Sequence, residues 1–268
     1  MGLDSSGSRD GEPPMGVQIL PETFSGSSSY CSCGCCPTTE VKLATKHERD
    51  WRGSRWLATI EFILIVAVYV ARQQHLLKVS ATPYLFLLGW ISLRLRGVRW
   101  KQIGFTQYRT WATTLKLGIT YGVGLELFDL FGKQPLLTRV LGKPPDLSGF
   151  PAVRGNLQYA LLIVVVIWVL AAFGEELVYR GYLMNRVADL GRGTRTAWIV
   201  SLLLISGLFG FSHYDQGLTG ILEEGSDGLI LGLVYLLYRR NLAIPIVAHG
   251  VCDTIDIALL FLGKYPGM

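Results

Sequence analysis

Long apolar runs in this chain are broken at three places by ionisable side chains, two of them in pairs four apart. Residues 161–173 run uncharged into Glu175, Glu176 and Arg180; residues 209–212 lead to His213; His249 and Asp253 interrupt a third run. An ionisable group inside such a run costs at least ~2.5–3.5 kcal/mol on insertion scales, so it is kept where it faces a bundle interior or does chemistry. Continuous apolar runs long enough to cross hydrocarbon are helices, which satisfy their own backbone. The expected fold is all-α, a polytopic transmembrane helix bundle with polar groups turned inward.

Composition agrees. The chain has 268 residues, 50% hydrophobic and 17% charged, whereas soluble domains carry about 25% charged residues. The net charge of +5 suits basic loops facing anionic lipid, so membrane lipids are expected partners and nucleic acid is not. Residues 1–45, rich in Ser, Gly and Pro, read as a disordered tail. Cys31, Cys33, Cys35 and Cys36 within it are too close for a disulfide framework; dense thiols of this kind bind metal or take a lipid, and a free tail is the simpler reading. Residues 46–268 form the membrane domain.

Candidate spans fall near residues 56–71, 83–93, 111–131, 157 onward to 190, 197–213, 228–238 and 242–262, giving about seven to eight crossings. Glu61 in the first sits near an interface or faces the bundle. Basic residues follow the second, fourth and sixth spans, and the segment with Asp215, Glu223, Glu224 and Asp227 reads as an acidic outer loop. Positive-inside then puts the N-terminus in the cytoplasm of a plasma-membrane protein. The Lys133, Arg139, Lys143 and Arg154 charges on the opposite side run against that assignment.

Glu176 and Arg180 share a helix face and can pair. Glu175 points about 100° away and is freer to meet a water. His213 taken alone reads as an interfacial histidine. His249 and Asp253 share a face, so Asp253 can orient the imidazole, with Asp256 as a competitor one turn on. The Gly191-Arg192-Gly193 turn places Glu176 at ~22 Å and His213 at ~28 Å along two antiparallel helices, within about one turn in depth.

Together, Glu175-Glu176-Leu177-Val178-Tyr179-Arg180 (E-E-x-x-x-R, followed by Gly181 and Leu183), Phe209 to His213 (F-x-x-x-H) and His249 to Asp253 (H-x-x-x-[ND]) resemble the CPBP family. This is the family of type II CAAX prenyl proteases, also called Abi proteins, and the resemblance covers residues 157–262. It implies a helical membrane bundle with a cavity open to the cytoplasm and an intramembrane glutamate protease. In that scheme Glu175 and His213 deprotonate a water, His249 and residue 253 stabilise the oxyanion, and Glu176 and Arg180 act as electrostatic partners. The CAAX proteases proper carry Asn where this chain has Asp253, and an ionised Asp cannot donate to an oxyanion.

The expected activity is hydrolysis of a peptide or lipidated protein without a cofactor. One alternative is a zinc protease using Glu175, His213 and His249, a donor set zinc accepts, although no H-E-x-x-H helix is present. Another is a non-catalytic immunity or partner protein.

Overall fold

The computed structural model describes residues 55–77, 80–148 and 152–266; the cysteine-rich tail lies outside them. Every regular element among these residues is helical. α1 spans Arg55–Gln73, α2 Thr82–Leu95, α3 Trp111–Phe128 and α4 Gln134–Leu141. α5 (Leu157–Val166) continues through two π-helical segments, Ile167–Glu175 and Leu177–Met184, into α6 (Asn185–Leu190), an unbroken rod of 34 residues. α7 (Arg195–Ser212), α8 (Gly217–Leu237) and α9 (Ala243–Leu262) complete the bundle.

The starts follow from sequence. Thr110, Asn156 and Thr194 each accept a hydrogen bond from the backbone N–H three residues on, capping α3, α5 and α7. Between α6 and α7 the chain reverses through Arg192 and Gly193, with φ of 56° and 64°, as the turn signal predicts.

Burial is inverted relative to a soluble domain. Val165 and Leu203 are 61% and 58% exposed, while Glu176 and Arg180 are 0% and 1% exposed. An apolar exterior around paired charges is what a lipid-facing bundle requires. Among the described residues four helices are long and apolar enough to cross a membrane: Trp56–Gln73, Leu157–Leu190, Arg195–Ser212 and Ala243–Leu262. The chain is an all-α, polytopic membrane protein, and this count is smaller than the seven to eight expected.

Two sequence expectations need correction. α8, the sixth expected span, begins at Gly217, eleven residues earlier than expected, because the acidic segment is helix and not outer loop. Its Glu223 and Asp227 are four apart and buried on one face. Lys133 is likewise no loop charge: it is buried, paired with Asp129 at 2.6 Å and with Asp227. Glu61 faces the bundle, 2.5 Å from Arg186 Nε and accepting from Ser92 Oγ, which ties α1 and α2 to α6.

Glycines set the close helix contacts around the site. A Cβ on Gly122 would strike Val251 at 2.8 Å where α3 meets α9, and one on Gly210 would strike Gly225 Cα at 2.7 Å where α7 meets α8. These approaches bring the helix faces carrying the ionisable groups together.

Candidate active site

Glu175 and Glu176 sit at the junction of the two π-helical segments; such segments occur often at functional sites because they re-aim side chains. At Gly174 the Thr82 Cγ2 atom would lie 3.6 Å from an added Cβ, so α2 comes in close. Thr82 Oγ1 then donates to Glu175 Oε1 at 2.9 Å. Glu175 is half-buried on the wall of a cavity of about 260 Å³.

Glu176 is enclosed behind it. Its Oε1 accepts from Arg180 at 2.6 Å and from His249 Nδ1 at 3.0 Å. Arg180 donates a second bond to the Gly228 carbonyl at 2.9 Å, so the guanidinium joins the rod to α8. The expected Glu176–Arg180 pair is present, and it extends to His249.

His249 Nδ1 faces a carboxylate that only accepts, so Nδ1 carries a proton. Its Nε2 lies 3.5 Å from Asp253 Oδ2. The carboxylate holding the ring at Nδ1 is therefore Glu176, and Asp253 stands at the opposite nitrogen. Sequence spacing pointed to Asp253 because it shares a helix face with His249; the bond to Glu176 crosses helices and leaves no local spacing. Asp256 does not compete for the ring among the described residues; it lines the cavity further along α9.

His213 closes α7. Its Nδ1 is 3.0 Å from the Phe209 carbonyl, an acceptor, which fixes the proton on Nδ1 and leaves the Nε2 lone pair free. Nε2 is 4.0 Å from Glu224 Oε2. Phe209 itself is buried, with Arg180 4.8 Å above its ring and the rings of Tyr179, His213 and His249 at 4.9, 5.1 and 6.0 Å. The motif's phenylalanine is thus the spacer between both imidazoles and the buried guanidinium. Past His213 the chain is pinned by Arg72 of α1, whose guanidinium is 2.6 Å from Asp215.

Glu175, His213, His249 and Asp253 all line this cavity. Its wall carries eight carboxyl side chains and two imidazoles among apolar residues, with no Lys or Arg. Sequence reasoning did not place Thr82, Glu126, Asp129, Glu223, Glu224 and Asp227 at the site. The available signal was the i, i+4 spacing of Glu223 and Asp227.

Donor atoms within 4.8 Å of one another are found for Glu126, Asp129 and Cys252 and for Cys252, Asp253 and Asp256; the Glu175, His213 and His249 set is not gathered this way.

Residues 157–255 match the family model described as type II CAAX prenyl endopeptidase Rce1-like. Over this stretch the chain is similar to that family. The match spans all three ionisable motifs and agrees with the family the motifs resemble. No curated protein and no solved structure matches the chain.

Proposed function

We propose that the chain is an intramembrane endopeptidase that hydrolyses peptide bonds with a water activated by Glu175 and His213. One observation carries this reading. Glu175, His213, His249 and Asp253, from three separate helices, line a single cavity, and all four lie within the Rce1-like segment.

Thr82 occupies one oxygen of Glu175, leaving the other to accept a proton from water. His213 Nε2, unprotonated while Nδ1 bonds the Phe209 carbonyl, supplies the second acceptor. The hydroxide formed attacks the scissile carbonyl. Negative charge develops on its oxygen, and the C–N bond breaks as the amine takes the proton from Glu175 or His213. His249, with carboxylates at both ring nitrogens (Glu176 at Nδ1, Asp253 at Nε2), acts as the imidazolium, whose Nε2–H donates to that oxyanion, where a donor is worth ~10²–10³ in rate. Arg180 and Glu176 position His249 and do not touch the substrate.

The scheme uses no metal. The donor atoms of Glu175, His213 and His249 are not gathered within 4.8 Å of one another, so a zinc set of these three would first have to draw together. The substrate class is a peptide or lipidated protein. In this reading α2, α3 and α8 cross with the four more apolar helices, giving about seven to eight crossings. The N-terminus is cytoplasmic, in the plasma membrane; this orientation puts the cavity residues Pro145, Leu147, Gln216 and Tyr265 toward the outer end of the bundle, whereas the cytoplasmic opening that the family resemblance implies would need the reverse orientation.

The test is cleavage of prenylated and unprenylated C-terminal peptides by the full chain in liposomes. Glu175→Gln is expected to lower turnover by ~10²–10⁴ with insertion intact. Pairing it with His213→Ala should cost little more, because residues acting as one unit are non-additive. Chelators should leave the rate unchanged. Near wild-type turnover by Glu175→Gln overturns the proposal. Absence of cleavage of any peptide by the folded wild type favours the non-catalytic alternative.

A further inference from the structure

At one end of the bundle a second cleft, of about 570 Å³, opens between two loops. Lys101 comes from the short turn Trp100–Ile103, Arg109 from the stretch leading into α3, and Arg239 and Arg240 from the turn between α8 and α9. No carboxylate lines the cleft. Among the described residues none lies within 4.0 Å of these four cations, although Arg72, Arg96, Lys133, Arg180 and Arg186 all have acidic partners.

The cleft is built by specific bonds. Leu242 N–H donates to the Gly104 carbonyl at 2.8 Å, and Asn241 Nδ2 donates to the Thr106 carbonyl at 2.8 Å. Asn241 Oδ1 accepts from Ile244 N–H at 3.1 Å, which fixes the start of α9. Gly104, at φ +95°, lets the Arg240 carbonyl approach where any Cβ would collide.

Backbone strain collects here. Among the described residues five non-glycine positions have positive φ, and three of them, Arg109 (58°), Arg239 (58°) and Arg240 (61°), line this cleft. Left-handed backbone at bulky residues persists where the surroundings impose it, and it clusters at ligand clamps.

Aromatic rings place this end at a membrane surface. Trp111, at the first residue of α3, and Trp100 are exposed, and Tyr108 and Tyr238 line the cleft with their rings 5.0 Å apart. Trp and Tyr gather at the headgroup level. Arg109 and Arg240 lie over the rings of Tyr108 and Trp198 at 5.6 and 5.2 Å and have no carboxylate partner among the described residues; arginines of this kind at that depth meet lipid phosphates, which a guanidinium binds with two parallel N–H donors.

We propose that this cleft binds the phosphate of an anionic phospholipid headgroup, with Lys101, Arg109 and Arg239 as its cationic contacts. The site is separate from the Glu175 cavity and does not depend on what that cavity does.

The experiment uses the full chain in phosphatidylcholine nanodiscs, titrated with short-chain phosphatidylinositol phosphate, short-chain phosphatidylcholine or inorganic phosphate, with bound lipid counted by native mass spectrometry. The wild type should retain the phosphoinositide over phosphatidylcholine. Arg109→Gln with Arg239→Gln should weaken that retention by about fivefold per charge removed, and Lys101→Gln alone by one such step. The charge-matched pair Lys143→Gln with Arg195→Gln, outside the cleft, should leave it unchanged. An equal loss in that pair means diffuse charge attraction and overturns the site. So does competition by inorganic phosphate with no preference among the lipids, which would assign the cleft to a soluble phosphate. If the double variant unfolds, the Lys101→Gln step decides: no weakening overturns the proposal.

Discussion

Glu176 Oε1 lies 3.0 Å from His249 Nδ1, on the same oxygen that receives Arg180 at 2.6 Å. One buried carboxylate therefore holds both the imidazole facing the cavity and the guanidinium beneath it. Removing it strands Arg180, which is 1% exposed. Breaking a buried pair by deleting one partner costs about 3–5 kcal/mol, so Glu176→Ala should lower unfolding stability in detergent by that order. Replacing the pair together, Glu176→Leu with Arg180→Met, should cost less than the two single changes summed, because no charge is left alone. The check is a double-mutant cycle by thermal or denaturant unfolding. Additive losses would mean the two residues are not coupled.

Asp253 is 3.5 Å from His249 Nε2, and the ring is already held at Nδ1. Orientation of His249 then does not depend on the Asp253 charge, and an Asn at this position adds an N–H donor to the oxyanion side. Asp253→Asn is expected to turn over at or above the wild-type rate on the same peptide. A fall of ~10², the size of a lost oxyanion donor, would show instead that the carboxylate itself is required.

Contacts fix which loops share a side. Arg96, after α2, is 3.9 Å from Asp189 near the end of α6, and Arg240, after α8, has its guanidinium 5.2 Å over the Trp198 ring at the start of α7. Reporter fusions after Arg96, Arg192 and Arg240 must therefore give one common answer, and loop charge makes that answer cytoplasmic. A split result would contradict the packing. A common outer-side result would keep the packing and invert the proposed orientation.

The sequence made legible what local spacing encodes. The rod from Leu157 to Leu190, the turn at Gly191–Gly193 and the Glu176–Arg180 pair all follow from helical period and a turn signal. Hidden from it were contacts between helices far apart in the chain. Thr82 reaches Glu175 across 93 positions and His249 reaches Glu176 across 73, and no periodicity records such a meeting. The start of α8 was missed for a different reason. Its acids make the segment too polar to look like a membrane helix, yet Asp227 is neutralised by Lys133 from another element, a compensation that only the folded bundle supplies.

Gly250 follows His249 directly and packs under Trp168. A Cβ there would lie 2.8 Å from Trp168 Cε3 and Cζ3. The indole has little room to yield, because its Nε1 donates to Thr254 Oγ1 at 3.0 Å. Gly250→Ala must then push α9 away from the rod, and overpacking of this kind costs about 1–3 kcal/mol. His249 rides on α9 while Glu176 rides on the rod, so the same displacement opens the 3.0 Å bond between them. The expected result is a peptide-cleavage rate that falls more than the stability loss explains, with insertion intact. Adding Trp168→Leu removes the obstructing ring and should restore much of the rate to Gly250→Ala. If it restores stability and not rate, Gly250 acts on the site by some route other than the spacing of α9 from the rod.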